Sequence, residues 1–121
     1  MGEGVTMSVT KREEVLHGAT YCATLDSEKP MFVTVNESDG RPFEVFIRID
    51  DPDSFEWMLA LTVVISRCLR AGEPLASIAE ELQEIYSPVT KHFIPGGGGE
   101  CHSLVARLGH VLKHHSDTYG H

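Results

Sequence analysis

No run of apolar residues in this chain approaches the roughly 18 that a membrane-spanning helix needs, and the opening MGEGVTMSVTKR holds no apolar stretch of signal-peptide length. Both absences lead to the expectation of a soluble, cytoplasmic protein. Cysteine is scarce: Cys22, Cys68 and Cys101 are odd in number and form no Cys-x-x-Cys pair, which argues against a disulfide framework and fits a reducing compartment. Positive charge is in deficit, with 10 Lys and Arg against 18 Asp and Glu, a net charge of −8 and a pI near 5.2. Such a surface repels a phosphate backbone overall, so nucleic acid is not expected as a partner, although a local basic patch stays open. A length of 121 residues with 41% apolar content suffices for one core, and a second domain is not expected.

The first dozen residues show no sustained periodicity and are expected to form a loose arm, residues 1–12, ahead of a single domain, 13–116, and a short tail, 117–121. HGATYCATL, 17–25, is rich in strand formers. MFVTVNES sets Met31, Val33 and Val35 against Phe32, Thr34 and Asn36, and PFEVFIRID alternates in the same way, the period of two that turns one face to a core. Ser38, Asp39 and Gly40 between them supply the Asp-Gly pair of a tight hairpin. The pattern then becomes helical. DPDSFEWMLALTVVISRCLRAG suggests Asp53 as N-cap with Glu56 in a capping box, a stop at Gly72, and apolar residues around most of the axis, as for a helix covered by the sheet on one side and other helices on the other. EPLASIAEELQEIY carries the stripe Leu75, Ile78, Ala79, Leu82 and Tyr86, and SLVARLGHVLKHH reads as a last helix capped by Ser103. The expected fold is α+β: a three-stranded antiparallel meander, four-stranded if residues 5–10 add a strand, followed by three helices on one face.

Four consecutive glycines, Gly96, Gly97, Gly98 and Gly99, precede that last helix. Bare backbone N–H groups beside the positive end of a helix dipole bind phosphate or carboxylate, with Ser103, Arg107 and Lys91 as the nearest polar and cationic help. The run matches neither dinucleotide nor P-loop motif, and a flexible connector is the competing reading. A zinc site is the second candidate, from the adjacent Cys101 and His102 and from His110 and His114 at i, i+4, although only the histidine half has a ligand spacing; a solvated His-rich tail that includes His115 competes with it. Cys101 and His102 make a poor nucleophile and base because neighbours seldom aim at one atom. Arg48, Arg67 and Arg70 are weighed as a phosphate grip against a solvated patch. Phe32 and Phe46 fall on the sheet face away from the helices, so self-association through that face or an open sheet edge is expected, most simply as a homodimer.

HGATY, FVTVNESDGRPFEVFIRI, ISRCLRAG with IAEELQEI, and the glycine run leading to SLVARLGHVL resemble one family. It is the TSCPD domain, found at the C-terminal end of vitamin B12-dependent (class II) ribonucleotide reductases and also as a separate short protein. NESDGRPFEVFI is the most specific part. In the family the last helix opens with Ser, then Cys or an apolar residue, then Pro-Asp; here Leu104, Val105 and Ala106 follow Ser103, so any role tied to that Cys or Asp has no carrier. The resemblance implies a non-catalytic module of nucleotide metabolism that binds a nucleotide or another phosphate ligand, or docks on a ribonucleotide reductase. The alternatives are a phage-type protein that sequesters or senses a nucleotide signal, and a zinc-stabilised interaction domain. No nucleophile, base and orienter can be assembled from the spacings, so enzyme activity is not expected.

Overall fold

The computed structural model describes residues 12–23, 30–86, 92–94, 99–101 and 103–120, with backbone alone for 92–94 and 99–101. Three strands, β1 (His17–Ala23), β2 (Met31–Ser38) and β3 (Arg41–Ile49), form an antiparallel sheet in the order β1-β2-β3. The β2–β3 hairpin closes on Asp39 and Gly40, both at positive φ (53° and 73°), the pair of left-handed residues that a two-residue type I′ turn needs to match strand twist. Helices α1 (Pro52–Arg70), α2 (Leu75–Gln83) and α3 (Leu104–Tyr119) complete the α+β fold expected from the sequence. The expected fourth strand at residues 5–10 lies outside the described residues. One element was not foreseen: between α2 and α3, β4 (His92–Ile94) and β5 (Gly99–Cys101) pair as a separate antiparallel ribbon.

Alternation dictates the core. Val33, Val35, Val45 and Ile49 point to one face and meet Met58, Ile65 and Leu69 of α1, Leu75 and Ala79 of α2, and Leu108, Val111 and Leu112 of α3. Burying each such side chain contributes about 1.5–3 kcal/mol against exposure, which is why the period-two and period-3.6 patterns meet face to face. α1 is also fixed by polar contact, since Ser66 Oγ accepts from the Val45 N–H at 3.0 Å and donates to the Val45 carbonyl at 3.2 Å. A register shift at Asn36/Glu37 marks a bulge, so that Phe43, Glu44 and Val45 are buried in succession where strict alternation would expose one of them.

Several local expectations are corrected. The N-cap of α1 is Asp51, whose carboxylate accepts from the Asp53 N–H (3.2 Å) and Ser54 Oγ (2.8 Å), because Pro52 takes the first helical position where its missing N–H costs nothing. Asp53 is therefore inside the first turn and is not the cap. α2 stops at Gln83, leaving Tyr86 off its apolar stripe and 60% exposed. α3 runs beyond His115 to Tyr119. The second apolar side of α1 is not covered by other helices: Phe55, Trp57, Leu59, Val63 and Val64 are exposed. Phe32 and Phe46 do lie exposed on the outer sheet face, as the alternation requires.

Candidate functional site

The residues that converge lie along α3. Its buried side, Ala106, Leu108, Gly109, Val111, Leu112, His115 and Ser116, faces the core and α2. The adjoining stripe Arg107, His110, His114 and Asp117, at i, i+3, i+7 and i+10, lines a groove of about 500 Å³ with Lys113, Gln83 of α2, and Tyr21 and Cys22 of β1. Three of the residues singled out in the sequence, Arg107, His110 and His114, thus share one cleft. Sequence reasoning had assigned them to different chemistries, and it missed Tyr21, Gln83 and Lys113, which only the packing of β1 and α2 against α3 brings there.

The groove carries charges of both signs, Arg107 and Lys113 with Asp117. Burial lowers the His110 pKa from its ordinary 6.5, and the neighbouring charge of Arg107 and then His114 lower it further, so the ring is neutral at pH 7. His110 Nδ1 lies 3.5 Å from Gln83 Nε2. Lys113 is held protonated, chiefly by its hydrogen bond to Asp117 at 3.0 Å, with Glu80 at 3.5 Å on its other side. Arg107, Lys113 and two imidazoles thus share the groove with the Asp117 carboxylate, on a chain that is acidic overall.

Behind the groove wall lies a second constellation. His115, 1% exposed, stands between the Tyr21 hydroxyl, 2.6 Å from Nδ1, and Glu37 Oε2, 3.1 Å from Nε2. Burial, followed by Tyr119 and Glu37, raises the Tyr21 pKa. The Glu37 carboxylate can only accept, so Nε2 carries the hydrogen between them, and in the neutral ring Nδ1 is the acceptor for the Tyr21 hydroxyl. His115 is therefore a satisfied core residue and not part of a solvated tail, a correction of the sequence expectation. Tyr21→Phe keeps the ring but leaves Nδ1 without its donor. A loss of about 1 kcal/mol, or roughly 3–6 °C in Tm with far-UV circular dichroism unchanged, is expected in thermal melts.

The remaining sequence candidates are distributed as follows. Ser103 is the cap of α3: its Oγ accepts from the Ala106 N–H at 3.0 Å and donates to the Ile85 carbonyl at 2.7 Å, tying the end of α2 to the start of α3. Gly99 opens β5, so the glycine run leads into a strand, which precedes the helix. Gly96, Gly97, Gly98, Lys91 and His102 lie outside the described residues, as does the Cys101 side chain. Among the described residues no group of three or more His, Cys, Asp or Glu is placed to hold a metal ion. Cys22 and Cys68 are free thiols. The arginine grip does not assemble, because Arg70 turns to Glu44 at 3.5 Å and stacks its guanidinium 4.7 Å from the Phe43 ring centre. No helix among the described residues is long and apolar enough to cross a membrane.

A family model for the TSCPD domain matches residues 5–116 of the 121. The chain belongs to the TSCPD domain family. Comparison with curated proteins and with solved structures returned no match. In this TSCPD chain the positions where the resemblance expects Pro-Asp are built for packing: Val105 lies against the core and Ala106 is buried. An ionised carboxylate at Ala106 would need a partner to offset its desolvation, and the Ser103 hydroxyl is already engaged with the Ala106 N–H.

Proposed function

We propose that this TSCPD domain is an accessory module of nucleotide metabolism that holds a phosphate-bearing ligand in the groove between α3, α2 and β1, and acts by binding, without catalysis of its own. The observation that carries the reading is the joint lining of one cleft by Arg107, His110, Lys113 and His114. A guanidinium, an ammonium and two imidazoles offer charge-assisted hydrogen bonds that suit phosphate oxygens, and the Tyr21 ring forms an aromatic wall for a base or sugar. The family's association with ribonucleotide reductases supports a nucleotide as guest and a reductase as the protein on which the module docks. The glycine run can extend the site only through residues beyond those described.

The test is a thermal-shift panel of inorganic phosphate, pyrophosphate, nucleoside mono-, di- and triphosphates and cyclic dinucleotides. A true ligand at a hundred times its Kd stabilises the fold by about 2.7 kcal/mol, and Arg107→Ala should weaken it about tenfold. The pH dependence has a definite sign. An anion beside His110 favours the protonated ring, so binding takes up a proton and affinity rises from pH 8 to pH 6. The unliganded fold behaves oppositely: with the His110 pKa depressed, its contribution is full above the unfolded value of 6.5 and is lost as pH falls through the lower folded value. Affinity independent of both Arg107 and pH would count against the groove.

A further inference from the structure

α1 has two apolar sides, and the fold covers one. Met58, Ile65 and Leu69 face the core, whereas Phe55, Trp57, Leu59, Val63 and Val64 are 43–57% exposed. Five exposed apolar side chains on one surface helix mark an interaction site. The pattern along it says what fits. Glu56, Leu59 with Ala60, Val63 and Arg67 recur at +3/+4, +7 and +11, which is a single stripe down the exposed side of the helix. Its ends carry opposite charges, about 16 Å apart at 1.5 Å per residue. Neither Glu56 nor Arg67 forms an ion pair among the described residues.

An acidic end, an apolar middle and a basic end are complementary to the same stripe reversed. We propose that a second copy of the chain packs here about a two-fold axis, α1 antiparallel to α1, centred between Leu61 and Thr62. That register sets Glu56 against Arg67 of the partner subunit at both ends, Leu59 against the partner's Val64, and Ala60 against the partner's Val63. The small Ala60 near the crossing lets the helix axes approach to the usual 8–10 Å. A parallel arrangement would bring Glu56 onto its own copy. The outer sheet face is a poorer match for a second copy, because Phe32 and Phe46 there are interleaved with the hydrogen-bonded Thr20–Thr34 pair and Arg48. The interface is isologous and closes, so it yields a dimer and no filament.

Sedimentation equilibrium of the full chain across the micromolar range tests it. The wild type is expected as a dimer. Val63→Asp, at an exposed position that leaves the fold intact by circular dichroism, should weaken the dimer at least about 100-fold by burying an unpaired charge. Glu56→Arg and Arg67→Glu should each weaken it about three- to tenfold. An equimolar mixture of those two variants should regain wild-type affinity, since each end then pairs opposite charges. Phe46→Ser should change nothing. A wild type that stays monomeric, a dimer indifferent to Val63→Asp, charge variants that mixing does not rescue, or dissociation by Phe46→Ser would each overturn the proposal.

Discussion

Gly109→Val is expected to cost more than about 3 kcal/mol and to separate α2 from α3, the largest loss we anticipate from any single substitution. Gly109 faces α2, and a Cβ built on it would meet the Ala79 carbonyl oxygen, the Gln83 nitrogen and the Leu82 Cβ, each at 2.8 Å. Two of those three atoms are backbone, so no rotamer change relieves the contact. Either helix must move, and movement opens the layer where Ala79, Leu108 and Leu112 pack. Gly109→Ala sharpens the point, because on helix propensity alone it would stabilise by about 1 kcal/mol. Its expected result is a net loss of about 1–2 kcal/mol in urea melts, and a gain would mean that the two helices are not in close contact. Gln83 lines the groove beside His110, so on the proposed binding function the same variants should also impair ligand binding in proportion to how far α2 is displaced.

Glu44→Gln is the second large effect, about 2 kcal/mol at pH 7. Glu44 is 1% exposed on β3, and burial alone would raise its pKa. Its bonds win: Arg12 donates to both carboxylate oxygens at 3.0 and 3.1 Å, Asn36 donates at 2.8 Å, and Arg70 lies at 3.5 Å, so the pKa falls below the usual 4.5. Gln keeps the shape but replaces an accepting oxygen with a donor that faces guanidinium groups. Arg70 Nε is already buried without a partner, so the site has no spare acceptor. The loss stays at about 2 kcal/mol because Arg12 is itself 44% exposed and water shares its charge. The pH signature follows from the depressed pKa. The carboxylate's contribution is fully present above 4.5 and is lost as pH falls through the lower folded value, so the gap between wild type and variant should close in acid. A gap that does not narrow at all as pH falls below 4.5 would show that shape, and not charge, carries the effect.

The sequence made the architecture legible where periodicity was unmixed. Met31, Val33 and Val35 could be assigned to a core by alternation alone, and Asp39-Gly40 specified its turn through backbone chemistry that few other pairs tolerate. Asp53 and Glu56 have a capping-box spacing, but Pro52 fixes the helix start two residues earlier and makes Asp51 the cap. The β4–β5 ribbon is only three residues on each strand, too short for a period-two signal, and glycines in its connection pointed to a ligand loop first.

The groove was half visible. Arg107, His110 and His114 lie on one helical stripe that spacing reveals, but reading His110 and His114 as a metal pair hid their common side with Arg107. Tyr21 could not have been found, since it reaches α3 from 94 positions away through the pairing of β1 with β2. His115 shows the limit of reading polarity as exposure: adjacent to the exposed His114, it is buried because Glu37, on the inward side of β2, offers it a carboxylate. The exposed side of α1 is the converse case. Its apolar residues were assigned to helix contacts within the fold, and they remain uncovered in the single chain.

Ligand binding in the α3 groove is the claim on which the functional account rests, and a backbone and side-chain NMR titration with pyrophosphate and with ADP addresses it at residue level. The account predicts saturable shifts concentrated at Tyr21, Gln83, Arg107, His110 and His114, downfield movement of the His110 ring as it gains a proton, and their disappearance in Arg107→Ala. Saturable binding whose shifts fall elsewhere, or spectra unchanged by either compound, would contradict it.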